Sequence, residues 1–197
     1  MTEEVLQVGE PILREKAALV AKDQIPSEKI RALIAHMKEL LSREKNGVGL
    51  AAPQVGESLR IFIISGRAFL PDEEEEDVVA EEEKKEEPPP PPDMVFINPE
   101  MMRRSRAKKE MSEGCISVRG KYGTVMRSEK VTIQALNEVG RPFTYHGSGL
   151  VAHIFQHEMD HLEGILYIDK AVKLEDEGEK SHLREEFPPG EKEHRQV

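Results

Sequence analysis

From Ser27 onward, apolar residues recur at Ile30, Leu33, Ile34, Met37, Leu40 and Leu41, spaced by threes and fours. That period lays them in one stripe along a helix, with Ser27 as its natural N-cap and Asn46-Gly47 as its stop. His36 and Glu39 fall off the stripe and are expected to face solvent. Two short runs, residues 59–64 and 94–97, are apolar without a helical period and read as buried strands. Residues 130–137 alternate apolar and polar like a half-buried strand. Residues 137–140 read as a turn, and 141–146 as the returning strand. Gly147-Ser148-Gly149 then opens a second helix that begins near Leu150. The segment from Lys173 onward is charged and is expected to be a frayed helix or disorder.

The chain has 197 residues, enough for one domain with a substantial core and too few for two full ones. Its net charge of -10 is misleading, because eleven acidic residues and two lysines fall between Asp72 and Glu87. The remainder of the chain is close to neutral. The acidic run passes into five prolines, Pro88 to Pro92, and such a stretch buries too little apolar surface to offset its ordering entropy. Residues 71–93 are therefore expected to be a disordered or extended insert between two strands of one domain. That domain should span residues 1–170, with a charged tail at 171–197. One basic cluster (Arg103, Arg104, Arg106, Lys108, Lys109) is short and lacks interleaved aromatics, so it reads as a solvated loop or strand edge, with no DNA binding. A single cysteine excludes an internal disulfide framework. No apolar run approaches the roughly 20 residues of a membrane-spanning helix. The acidic Met1-Thr2-Glu3-Glu4 start lacks the basic region of a secretory signal, so a cytoplasmic protein is expected.

Chemistry concentrates in Leu150 to Leu162. His157 and His161 are four apart, so on a helix both rings meet one side and can grip one ion. Glu158, next to the first histidine, is placed to move a water's proton without being a ligand. His153 is also four from His157, but His157 and His161 are the preferred pair. His153 reads instead as a pocket-wall or partly exposed residue. Two histidines leave a catalytic site one protein ligand short. Another histidine, a carboxylate or the lone Cys115 could complete it. Cys115 also admits two other readings, a small buried hydrophobe or a Cys/His nucleophile. The Gly-rich loop from Asn46 to Gly56 permits close backbone approach to a ligand, and Gln54 offers an amide donor. It matches no phosphate-binding pattern.

Three segments, Gly47-Val48-Gly49-Leu50-Ala51-Ala52-Pro53-Gln54, Glu113-Gly114-Cys115-Ile116-Ser117 and Gln156-His157-Glu158-Met159-Asp160-His161, resemble in order the three motifs of the peptide deformylase family. The likeness runs from about Val8 to Asp169, apart from the acidic–proline insert. It implies an α+β fold, with small antiparallel β-sheets surrounding a central helix that carries the His-Glu-x-x-His motif. It also implies removal of the formyl group from N-formylmethionine of newly made polypeptides. Carried over, Cys115, His157 and His161 hold one divalent metal, most commonly ferrous iron, with zinc or nickel as substitutes. A water takes the fourth position, and Glu158 is the general acid/base. Gln54 and the Ile116 backbone N–H stabilise the oxyanion. Val48, Gly49, Leu150 and Ile154 form the substrate pocket, the apolar side chains receiving methionine. Transient ribosome contact is a further implication. Ile116 stands where the family commonly has Leu, and Arg119 where many members have Pro. Tyr122 lies in the substrate-lining loop that follows. Alternatives from the residues alone are a zinc protease, a Cys/His hydrolase and a catalytically idle binding protein.

Overall fold

The computed structural model describes residues 2–70 and 89–176. In chain order its main elements are helix α1 (Glu28–Arg43) and strands β1 (Gly49–Ala51), β2 (Ile61–Ile64), β3 (Met94–Arg104), β4 (Lys108–Cys115), β5 (Val118–Ser128), β6 (Lys130–Leu136) and β7 (Pro142–Ser148). Helix α2 (Gly149–Leu162) and strand β8 (Lys173–Asp176) complete it. Five strands form one antiparallel sheet in the order β1-β2-β3-β6-β7, and β4-β5-β8 form a second. The architecture is α+β.

Strand β2 shows why its sequence lacks alternation. Ile61 and Ile63 join the α1 residues Ile30, Leu33 and Met37 on one face. Phe62 and Ile64 join Ile154, Phe155 and Leu162 of α2 on the other. Both faces of the sheet's centre are covered, so every β2 side chain is buried. Stacked Phe62 and Phe96, with ring centroids 4.7 Å apart, tie β2 to β3, and Phe155 meets the Phe96 edge at 5.1 Å.

Helix α1 begins as its sequence predicts, the Ile30 N–H donating to Ser27 Oγ at 3.3 Å. It ends at Arg43, before the expected Asn46-Gly47 stop. Gly47 serves a different need there: a Cβ would lie 2.9 Å from that of Glu44 and 3.2 Å from a Leu41 methyl. His36 is partly buried, its Nε2 lying 2.7 Å from the Thr2 carbonyl oxygen.

Helix α2 is buried around most of its circumference, with His153, Gln156, Glu158, Asp160 and His161 all under cover. Gln156 clamps it to the end of β5, accepting from the Ser128 N–H at 3.0 Å and donating to the Ser128 carbonyl at 2.9 Å. Gly147 lets the chain enter the helix, since a Cβ would lie 2.9 Å from the Phe155 ring.

The start of the charged tail also differs from expectation. Residues 173–176, expected as frayed helix or disorder, form β8, whose pairing with β5 is made by backbone groups. The hairpin of β4 and β5 had no clear pattern in the sequence. The basic cluster sits, exposed, at the end of β3 and the start of β4, as a strand edge. The acidic run and the tail beyond residue 176 lie outside the described residues. Among the described residues, no helix is long and apolar enough to cross a membrane.

Candidate metal centre and its cleft

Strand β4 ends at Cys115, and α2 presents His157 and His161 one turn apart beside it. Cys115 Sγ lies 3.3 Å from His161 Nε2, which lies 3.2 Å from His157 Nε2, and the three atoms fall within 4.8 Å of one another. A tetrahedral ion bonded at about 2.0–2.1 Å to nitrogen and about 2.3 Å to sulfur spaces its ligand atoms by about 3.3–3.6 Å. The two separations that involve His161 lie close to that spacing. The electronic state of the donor set matches too. Burial, aided by His157, holds the His161 imidazole well below its ordinary pKa, so the ring is neutral. His157 Nδ1 donates to Glu113 Oε2 at 2.7 Å, which leaves its Nε2 lone pair facing the gap. Burial pushes the Cys115 thiol up to about 12; a backbone hydrogen bond at Ser117 opposes the rise and the Glu158 charge adds to it. A thiolate here requires a cation in place of its proton, and a divalent metal supplies it.

Glu158 is 3% exposed, and its Oε2 has no hydrogen-bond partner among the described residues. Burial, and secondarily the charge of Glu113, push its carboxyl well above the usual carboxylate range. Such a group can carry a proton near neutral pH. Its other oxygen occupies space left by Gly49, where a Cβ would fall 2.3 Å from Glu158 Oε1. Gly49→Ala must therefore displace Glu158. The expected result is a kcat lower by about 10–100-fold with metal content retained, since misplacement by about 1 Å costs this much. Paired turnover and metal measurements check it.

Gln54 follows β1 on a short 3-10 turn (Ala52–Val55). Its Oε1 accepts from the Ala51 N–H at 2.8 Å. This turns Nε2 towards Ser117 Oγ at 3.0 Å and Cys115 Sγ at 3.6 Å. Ile116 occupies the tight turn between the paired residues Cys115 and Val118, its carbonyl accepting from Gln7 Nε2 at 3.0 Å. A cleft of about 490 Å³ is lined by Cys115, Ile116, His157 and Glu158 and by all of Val48, Gly49, Leu150 and Ile154, whereas Gln54 and His161 are buried and do not line it. Ile154 is buried and Leu150 stands exposed at the mouth.

The family profile described as Polypeptide deformylase matches residues 2–177. The chain belongs to this family. A peptide deformylase from Halothermothrix orenii is 38% identical over 177 residues, covering 88% of this chain and 96% of that protein. One from Dictyoglomus turgidum is 39% identical over 173 residues, covering 88% and 95%. Among solved structures, a class I type b peptide deformylase from Acinetobacter baumannii with actinonin bound superposes with a TM-score of 0.70. It is 32% identical, covering 87% of this chain and 99% of that one. Deformylase members are metal-dependent hydrolases that act on N-formylmethionyl peptides, and this chain is an enzyme of that kind.

Behind the deformylase motifs stands a polar network that sequence reasoning did not find. Glu113, 4% exposed, accepts at Oε1 from Arg127 Nε and from His153 Nε2, both at 2.6 Å. Its Oε2 accepts from Arg127 Nη2 at 3.0 Å and from His157. Burial alone would raise its pKa, but these bonds outweigh it and hold the carboxyl well below the usual range. Arg127 also donates to Asp160 Oδ2 at 2.6 Å, and Lys170 reaches Asp160 Oδ1 at the same distance. His153, expected as a pocket-wall or partly exposed residue, lines the cleft but is buried by this carboxylate contact. Glu113 and Asp160 lie inside the quoted motifs, whereas nothing in the sequence marked Arg127.

Proposed function

We propose that Cys115, His157 and His161 hold one divalent ion, ferrous iron by preference with zinc or nickel as substitutes, for hydrolysis of the formyl amide. Two imidazoles and a thiolate suit any of these soft-to-borderline cations. The observation that carries the reading is the convergence of three ligand atoms beside a buried carboxyl with a free oxygen. When bound, the ion supplies a Lewis acid and lowers the pKa of water towards about 7. Glu158 takes the proton from the attacking water. It returns a proton to the leaving amine as the carbon–nitrogen bond breaks, giving formate and a free N-terminus. Gln54 Nε2 and the Ile116 N–H donate to the negative charge that develops on the formyl oxygen. Val48, Leu150 and Ile154 receive the methionine side chain, and Gly49 makes room for Glu158 and for the substrate backbone. A relative from Acinetobacter baumannii, 31% identical, holds Met-Ala-Ser, which supports a methionyl peptide in this cleft.

The substrates are nascent polypeptides, met in the cytoplasm with transient ribosome contact. The catalytic unit, expected over residues 1–170 with the insert 71–93 inside it, extends through β8 to residue 176, so the charged tail is shorter than 171–197.

Protein purified without oxygen and loaded with ferrous iron should release one formate per formyl-Met peptide. Chelator should abolish the reaction and added metal restore it. Absence of formate from metal-loaded protein refutes the function. Gln54→Ala tests the oxyanion role, with an expected loss of about 10²–10³ in kcat and metal retained. A change confined to KM would make it a ground-state contact instead.

A further inference from the structure

Two of the charged side chains lining the cleft, Glu113 and Glu158, are buried at its floor, and four stand at its rim: Glu44, Lys45, Arg119 and Lys121. The rim is thus positively charged in a chain whose net charge is -10. Its two walls are held in place. On one side Arg67 fixes the backbone that follows α1, donating to the carbonyls of Glu44 at 3.1 Å, Lys45 at 3.0 Å and Gly47 at 2.7 Å. On the other, Arg119 follows Val118, which is paired with the metal-site residue Cys115. Arg119 Nη2 reaches across to Glu44 Oε1 at 2.7 Å. The Arg119 side chain remains 61% exposed, and this is its one hydrogen bond among the described residues, so the rest of its donor fork is available. Lys121 is paired with Asp176, which does not line the cleft.

Resting on the deformylase reading, we propose that this rim selects peptides with an aspartate or glutamate at the second or third position, with Arg119 as the specificity-determining residue. A peptide whose formyl group meets the floor advances by about 3.3–3.6 Å per residue towards the mouth. Its second and third side chains therefore pass the rim. A carboxylate there meets the open side of the Arg119 guanidinium and the Lys45 ammonium, whereas a lysine meets both as like charges. The choice is made in binding and leaves the chemical step alone.

The test compares C-terminally amidated formyl-Met-Asp-Ala and formyl-Met-Lys-Ala on the metal-loaded enzyme. At about 0.01 M ionic strength, where screening reaches about 30 Å, the aspartyl peptide should have a kcat/KM about 5–10-fold higher. The difference should lie in KM. At about 1 M salt, with screening at about 3 Å, the two should converge. Arg119→Glu should invert the preference, and Arg119→Ala should reduce it. Equal kcat/KM for both peptides, or a preference unchanged by Arg119→Glu, overturns the proposal and leaves the deformylase reading standing. Failure of the loaded enzyme to release formate from either peptide overturns that reading itself.

Discussion

Glu158→Gln should leave the metal in place and slow turnover by about 10²–10⁴-fold, roughly 3–5 kcal/mol of barrier. Glutamine has the shape of glutamate, so the fit against Gly49 persists and the helix keeps its packing. It cannot take a proton. The native carboxyl sits 3% exposed with Oε2 free of hydrogen-bond partners among the described residues, beside three converging ligand atoms of which it is not one. Metal analysis alongside kcat checks this directly. Metal content that falls in step with activity would make Glu158 part of the binding site and end its role in proton transfer.

The second large effect is on stability. Arg127→Met should cost about 3–5 kcal/mol, because it leaves the buried carboxylates of Glu113 and Asp160 without the cation between them. For a domain of this size, that corresponds to a Tm lower by about 10–15 °C. Glu113 also orients His157 through Nδ1, so metal affinity should weaken by about 10–100-fold. Thermal unfolding with and without metal, together with a chelator competition, measures both. An unchanged Tm would mean that water reaches and screens these carboxylates.

What could be read from the sequence was whatever a local period or spacing encodes. The stripe from Ile30 to Leu41 specifies α1 because one face of that helix is buried. Strand β2 is apolar throughout because both of its faces are. The hairpin of β4 and β5 was obscure because β4 is mostly exposed, and β5 needs Gly123 where a Cβ would lie 2.9 Å from Tyr167 and Ala171. Strand β8 reads as charged tail because backbone bonds, which leave no mark on composition, hold it to β5. The site divides in the same way. His157 and His161 are visible at their four-residue spacing, and Cys115 joined them through the family likeness. Glu113 and Arg127 are 14 residues apart, and Arg127 and Asp160 are 33. Only the pairing of β4 with β5 and the docking of α2 bring them together. His153 lines the pocket wall as its sequence suggests, but its burial was not legible, because its carboxylate partner stands 40 residues away.

X-ray absorption on the zinc-loaded protein tests the ligand set most directly. One sulfur at about 2.3 Å and two histidine nitrogens at about 2.0–2.1 Å are expected, with the sulfur lost in Cys115→Ser. A shell of nitrogen and oxygen alone in the unmodified protein would contradict the assignment of Cys115 and, with it, the metal centre described above.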